Sequence, residues 1–532
     1  MKMVKSLLLG AAAGIVGVAG AQAADLPVKA KPVQYVKICS LYGVGFYYIP
    51  GTDMCIKIGG WARIQYQYGV ENNATNGPFL SNLNNRFTND STWRSRGYIT
   101  TDARNQTPYG TVRAYAAIGY IDGPADVGGS APGFQALRAF IQWAGFTFGQ
   151  ANSFFDFYVL PATSYLAAFP TSTTGGSGWK VLAYTAQFGN GFSGTISAEM
   201  RRTTQIVCAA DEFGGGGIVA GCGDASLAGA GQAQSSGTVN PWGAAAFSPL
   251  GYGGFQTPDI VGNLRVDQAW GSAQLMGALH QVNAQYYDDD GAIPGATAGA
   301  GEGAGHPGDR WGFAVGAGIK LNAPMIGPGD YFQAQTQYTE GASRYTFQLS
   351  NFNQGDRHGQ DAAYGVVSDA VFGGTIGAAA NATGLQLTST WGVNAAFEHH
   401  WNDQWQTSLY GGYAEMKYNA TANAILCGLE GDGNVTGVFN ATGTGSSAVA
   451  LNGCDNNWST WWIGSRTQWN VTKDFYMGVD VLYTKLNSAN AANNELPNAM
   501  TPFSTTGSQL ARFLSNEDAL SVEFRVHKDF YP

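Results

Sequence analysis

Charged residues are scarce in this sequence. The 28 basic and 37 acidic residues make up 12% of its 532 residues, whereas a soluble globular domain usually carries about 25%. Something other than a charged surface must therefore keep the folded chain dispersed. Glycine is abundant at 75 residues, and Phe, Tyr and Trp together reach 13%. This composition excludes a collagen-like repeat.

Long apolar runs are also missing. After residue 23, no stretch reaches the roughly 18 consecutive apolar residues that a transmembrane helix needs. If the chain enters a membrane, it must therefore do so as β-strands.

The sequence also lacks clusters of basic residues and recognisable metal-binding, nucleotide-binding or catalytic motifs. The formal net charge of −9 and the lack of a Lys/Arg-rich face exclude a nucleic-acid-binding footprint. Neither a CxxC or histidine-spaced metal pattern nor a nucleotide loop or paired-carboxylate motif stands out. We therefore predict no nucleic-acid partner, no metal, no cofactor and no enzymatic activity.

Residues 1–23 are typical of a secretory signal peptide. Lys2 and Lys5 precede an apolar stretch over 7–20, and Ala21-Gln22-Ala23 supplies the small residues of a cleavage site. The mature chain is therefore predicted to be exported.

Six cysteines in an exported chain permit disulfides, because the compartments outside the cytosol are oxidising. Six cysteines allow fifteen pairings, so proximity in sequence is only a guide. Free thiols are the alternative. The candidate sequence-local disulfides are Cys39 with Cys55, Cys208 with Cys222, and Cys427 with Cys454.

From residue 57 onward, apolar and polar residues alternate with period two, as in strands whose two faces meet different environments. In the first of these windows, Ile58 and Ile64 share one face while Arg63 and Gln65 share the other. The sixteen predicted strands are 57–68, 92–103, 110–120, 137–143, 146–151, 179–188, 192–202, 262–270, 272–286, 310–321, 331–349, 389–401, 405–418, 458–470, 475–486 and 518–530.

The connections between these strands alternate between short and long. Alternation of apolar and polar residues within strands would also fit a soluble β-sandwich. A sandwich does not require short and long connections to alternate along the chain. Short turns at one end and long loops at the other are typical of bacterial transmembrane barrels, which have even strand numbers. We predict an all-β fold: a closed antiparallel transmembrane β-barrel over 57–532, with short periplasmic turns, long outer loops and an N-terminal segment, 24–56.

Several stretches of the sequence resemble the alphaproteobacterial, rhizobial-type general porins. They are Val36 to Gly43, Phe46 to Gly60, Arg94 to Tyr98, Thr101 to Gly110, and the hairpin region Phe140 to Asp156. The resemblance implies a homotrimeric sixteen-stranded barrel in the bacterial outer membrane, surrounded by lipid and lipopolysaccharide. It also implies a passive, water-filled channel for ions and small hydrophilic solutes, with the third loop, 152–178, folded into the lumen as a constriction.

The resemblance also implies the residues of this constriction. It places Asp156 on the inward loop, opposite arginines on the inner wall. Strand parity puts the same arginines on the face opposite the apolar residues, and opposed charges in a narrow pore set its ion preference. The predicted wall residues are Arg63, Arg94, Arg96, Arg113 and Arg138. Arginines scattered on a solvated face, a solute-specific sugar or anion channel, and an exported β-rich binding protein or enzyme are the alternatives.

Overall fold

The structure is a computed structural model in which sixteen long strands dominate. In the described part of the chain, every helix is too short or too polar to cross a membrane. The residues described are 38–69, 91–121, 133–157, 163–166, 172–174, 178–210, 219–220, 237–238, 251–284, 306–347, 351–355, 362–374, 383–431, 455–489, 495–496, 512–513 and 515–530. The predicted signal peptide therefore lies outside the described residues.

The sixteen strands follow the predicted pattern closely. In chain order they are β1 (Cys55–Tyr68), β2 (Ser91–Thr107), β3 (Gly110–Ile121), β4 (Gly133–Trp143), β5 (Phe146–Ala151), β6 (Trp179–Gly189), β7 (Phe192–Glu199), β8 (Asp259–Gln268), β9 (Gly271–Val282), β10 (Arg310–Asn322), β11 (Tyr331–Glu340), β12 (Ser389–His400), β13 (Trp405–Lys417), β14 (Trp458–Thr472), β15 (Phe475–Asn487) and β16 (Glu517–Asp529).

These strands form a closed antiparallel barrel. Each strand pairs with the next, and β16 returns to pair with β1, where His527 is the register partner of Arg63. Closure leaves no edge strand with unpaired backbone groups, which is the condition for spanning a lipid bilayer with strands. The predicted fold class is confirmed.

Short and long connections alternate around the barrel as predicted. Connections after even-numbered strands are two to eight residues long, and the long ones follow odd-numbered strands. In the turn between β4 and β5, Ala144 and Gly145 have φ values of 50° and 89°. Positive φ at both central residues suits a two-residue hairpin turn, whose twist matches that of the strands.

The long connections contain their own short elements. The helix α1 (Ala420–Gly431) follows β13, and 3₁₀ turns occur at Ser40–Tyr42 and Ser343–Tyr345. The additional short strands are Tyr47–Tyr48, Ile206–Ala210, Val219–Ala220, Gly237–Thr238, Asn351–Gly355, Ala362–Val366, Ala370–Gly374, Gln386–Leu387, Glu495–Leu496 and Arg512–Phe513.

Three predicted strands were too long by three residues or more. The predicted strands 331–349, 272–286 and 192–202 end at Glu340, Val282 and Glu199. Buried carboxylates bind backbone donors in two of these places: Asp369 accepts from the Ser343 N–H at 2.6 Å, and Asp259 accepts from the Arg202 N–H at 3.0 Å. These donors are satisfied by a side chain, so they do not continue the sheet.

The N-terminal segment is closed by a disulfide between Cys39 and Cys55, as predicted. Both cysteines are buried together with Phe46, and the guanidinium of Arg104 lies 5.0 Å from the Phe46 ring centroid. The disulfide therefore fastens this segment to the start of β1. The pairs Cys208/Cys222 and Cys427/Cys454 fall outside the residues whose side chains are described and remain predictions.

Removing this disulfide should release the N-terminal segment while leaving the barrel closed. The cross-link spans 16 residues, and loop-closure entropy for such a loop is worth about 3 kcal/mol. We expect the C39S/C55S variant to be cleaved much faster by chymotrypsin at Tyr42 and Phe46. The folded gel mobility of the unheated barrel is the control, and equal cleavage rates in both proteins would contradict the prediction.

Candidate functional site

The two faces of the barrel wall have opposite chemistry. On β1, the outward Ile58 and Ile64 are 43% and 44% exposed, whereas the inward Gln65 and Gln67 are 2% and 5% exposed. The same division runs around the sheet, with exposed outward residues that include Leu182, Ile196, Leu264, Leu275, Val315, Leu409, Ile463 and Phe524. An apolar exterior around a polar interior is the reverse of the distribution of side chains in a soluble domain. It is the distribution expected of a β-barrel in lipid.

Exposed aromatic side chains gather near the short-turn end of the barrel. Trp405 and Trp469, on neighbouring strands, stack with 5.8 Å between ring centroids. Others near this end are Tyr109, Trp143, Phe146, Phe188, Phe192, Trp270, Phe332, Trp401 and Phe530. Amphipathic rings favour the boundary between lipid and water, so this belt marks one membrane interface.

Three of the predicted arginines lie next to one another on the inner face. Arg63 on β1 is the register partner of Arg96 on β2, and Arg94 is the partner of Gln65. The closing strand adds a fourth guanidinium, because Arg525 on β16 is the other register partner of Gln65. These four residues, Arg63, Arg94, Arg96 and Arg525, are called the arginine wall below.

Hydrogen bonds hold the arginine wall in place. The carboxylate of Glu523 accepts from the side-chain amides of Gln65 and Gln67 at 2.5 and 2.6 Å, and from Arg525 Nε at 3.0 Å. Arg63 Nε donates to His527 Nδ1 at 3.0 Å. The wall thus gathers four guanidinium groups around the carboxylate of Glu523.

The other two predicted arginines occupy different positions. Arg113 and Arg104 share the carboxylate of Asp102, with N–O distances of 2.9 and 2.7 Å, close to the turn between β2 and β3. Arg138 on β4 donates to the side chain of Asn152, just after β5 ends. The structure therefore brings only three of the five predicted arginines together, and their role as a constriction wall stays a prediction.

Asp156 lies on the connection between β5 and β6, where the sequence placed it. Its carboxylate accepts from the N–H and hydroxyl of Thr174 at 2.6 and 2.7 Å and from the Ser172 hydroxyl at 3.2 Å. Its charged partner is Arg202, with Nη2 at 2.9 Å from Oδ1. A role for Asp156 opposite the arginine wall stays a prediction.

Arg202 is a functional candidate that the sequence reasoning missed. Its side chain is 1% exposed, its guanidinium lies 4.5 Å from the Tyr345 ring centroid, and Glu199 is 3.9 Å away. Burial alone would lower the pKa of Arg202, but Asp156, Tyr345 and Glu199 together raise it above its ordinary value. The sequence did contain a signal for this residue: Arg201 and Arg202 are adjacent, close to the end of a strand, in a chain with few charged residues.

The connection that carries Asp156 contacts strands far from its own. Asn263 on β8 donates to the Phe154 carbonyl at 2.6 Å, and the Phe157 N–H donates to Gln335 on β11 at 3.2 Å. Phe155 is fully buried and packs edge-on against Tyr345, at 4.7 Å. Asn263 and Gln335 both lie on the inward face of their strands, so the described part of this connection packs against inward-facing side chains.

A closed barrel with an apolar exterior, a polar interior and an aromatic belt defines an integral outer-membrane β-barrel protein. The chain belongs to the Porin subfamily, which it matches over residues 25–510.

Proteins of Sinorhizobium and Brucella are among those with related sequences. A putative outer membrane protein of Sinorhizobium fredii, y4fJ, is 37% identical over 155 residues, which cover 28% of this chain and 43% of that protein. Porin Omp2a of Brucella melitensis is 33% identical over 210 residues, covering 37% of this chain and 56% of the porin. The chain thus matches about half the length of these relatives.

A solved structure shares the fold. The outer membrane channel DcaP of Acinetobacter baumannii superposes with a TM-score of 0.51 and 11% sequence identity, covering 91% of this chain and 99% of that one. At this identity, the likeness concerns the fold alone.

Proposed function

We propose that this protein is a passive, water-filled channel of the outer membrane for ions and small hydrophilic solutes. A barrel of about sixteen strands is wide enough to hold an aqueous path. The burial of inward side chains supports a path beside β1 and β2: Arg63, Arg94 and Arg96 are partly exposed, whereas Arg525 on β16, Gln335 on β11 and Ser408 on β13 are buried. The proposed path runs beside Arg63, Arg94 and Arg96, and the partial exposure of these three arginines carries the proposal.

The charge along this path favours anions. The arginine wall carries more positive charge than Glu523 neutralises, and guanidinium groups stay charged at any relevant pH. The carboxylate of Asp156 is engaged with Arg202, which weakens its attraction for passing cations. We further propose that the 152–178 connection narrows the path opposite the arginine wall, because fixed charge acts most strongly on ions in a narrow pore.

Planar bilayer recording tests the proposal. Purified protein should insert as homotrimers and produce stable conductance in steps of three. The permeation of neutral sugars should fall with their size and should not saturate with concentration. The complete absence of conductance would overturn the proposal, whatever the state of assembly.

A second candidate is a solute-specific channel, which one observation favours. Beside Arg63, the rings of Tyr98, Trp61, His527 and Tyr476 follow one another on the inner face, with successive centroid distances of 4.6, 5.4 and 4.7 Å. An aromatic ring can bind the flat apolar face of a solute such as a sugar. Saturation of sugar flux would select this candidate, whereas linear flux would select the passive channel.

A further inference from the structure

One buried carboxylate on the far wall binds the tip of the 152–178 connection. Asp480 Oδ2 accepts hydrogen bonds from the Tyr165 N–H at 2.6 Å, the Ser164 hydroxyl at 2.9 Å and the Leu166 N–H at 3.3 Å. Its other oxygen accepts from the Tyr410 hydroxyl at 2.6 Å. Asp480 is fully buried, so these donors replace water around its charge.

Other contacts hold the same tip to the neighbouring strands. The Tyr165 hydroxyl donates to Gln468 Oε1 at 2.7 Å, and its carbonyl accepts from Arg525 Nη2 at 2.7 Å. The Arg525 guanidinium also lies 4.2 Å from the Tyr165 ring centroid. Ser408 Oγ donates to the carbonyl of Thr163. Strands β13 to β16 therefore all contribute to binding residues 163–166.

Gly478 on β15 leaves room for the Tyr165 side chain at the inner face of the barrel. A Cβ atom at Gly478 would lie 2.4 Å from the Tyr165 hydroxyl oxygen, so a larger residue at position 478 would displace the ring. The backbone of Thr467 and Gln468 on the neighbouring strand β14 crowds the same position, so glycine at 478 accommodates both the strand and the connection.

The position of this contact around the barrel is significant. The connection leaves β5 and returns at β6, whereas Asp480 lies on β15 and Ser408 on β13. In a ring of sixteen strands, this places the bound tip about half a circumference from its roots. Arg525 belongs both to the tip contact and to the arginine wall, so the tip is fixed next to the path.

We propose that Asp480 is a positioning residue that latches residues 163–166 to the far wall and thereby sets the width of the path beside the arginine wall. This inference rests on the proposed channel function. Without the latch, the tip exchanges between bound and released positions, and the current through one barrel fluctuates between levels.

The D480A variant tests the latch in single-channel recordings. Losing the hydrogen bonds to this charged group should raise the time spent at altered current levels by about tenfold or more. The D480N variant keeps an oxygen acceptor of similar shape and should show a smaller rise. Thr484 lies four residues further along the same inner face of β15 and is also buried; T484A is the matched control and should record like the parent protein.

A reversible cross-link provides a second measurement. The ends of the Ser164 and Asp480 side chains are 2.9 Å apart, so cysteines at both positions are candidates for a disulfide that replaces the latch. The S164C/D480C protein should give quiet current when oxidised and fluctuating current when reduced. A loss of folding alone would not respond to the oxidant.

The outcomes separate the latch from the channel function. If the parent protein does not conduct, the proposed function fails. If the parent conducts and D480A, folded by its gel mobility, gives current as steady as T484A, the latch is overturned. Fluctuation in D480A that is graded through D480N and absent in T484A supports the latch.

Discussion

Replacing Arg94 and Arg96 together with glutamine should shift the channel strongly toward cations. A unit charge about 4 Å from a passing ion contributes about 1 kcal/mol even in bulk water. Losing two such charges should lower the ratio of anion to cation permeability on the order of tenfold at low ionic strength, and less at high salt because of screening. The reversal potential under a salt gradient measures this ratio.

Two lysines on the outer face provide a charge-matched control. Lys180 and Lys528 are exposed and lie on the outward side of β6 and β16. The K180Q/K528Q variant removes the same amount of positive charge from the chain without touching the lumen, so its reversal potential should stay that of the parent. If R94Q/R96Q and the parent protein have the same reversal potential, the arginine wall does not line the path.

Replacing Arg202 with methionine should be among the most destabilising single changes to the 152–178 connection. The substitution leaves the carboxylates of Asp156 and Glu199 buried without the guanidinium that lies 2.9 and 3.9 Å from them. Removing one partner of a buried ion pair typically costs about 3–5 kcal/mol. We expect R202M to become sensitive to proteases within 152–178 and to show a lower midpoint in denaturant unfolding.

A double-mutant cycle isolates the pair from general damage. If Arg202 acts through Asp156, D156N/R202M should be more stable than R202M alone, because the unpaired charge has been removed. Additive effects of D156N and R202M would show that the two residues act independently.

The sequence was sufficient to predict the barrel because its signals are local. Period-two alternation within each strand shows which residues share a face, and the length of each connection shows at which end it lies. Parity therefore placed Arg63, Arg94 and Arg96 on the inner face without any knowledge of strand pairing.

The contacts of the site were beyond prediction because they join residues far apart in sequence. Parity does not give the height of a residue in the barrel, so it could not separate Arg113, bound to Asp102, from the arginine wall. Arg525 joins that wall only because β16 pairs with β1. The same limit applies to Asp480, which meets Tyr165 across 315 residues of sequence.

The pairing of β1 with β16 has a consequence for biogenesis. The hydrogen bond between Arg63 and His527 joins residues 464 positions apart, so the ring cannot be completed until the last strand has left the ribosome and crossed the inner membrane. Proteins with such distant contacts fold slowly. Until the barrel closes, its edge strands have unpaired backbone groups that can pair with other chains. Closure of the barrel therefore waits for the C-terminal strand, whatever the order in which the other strands pair.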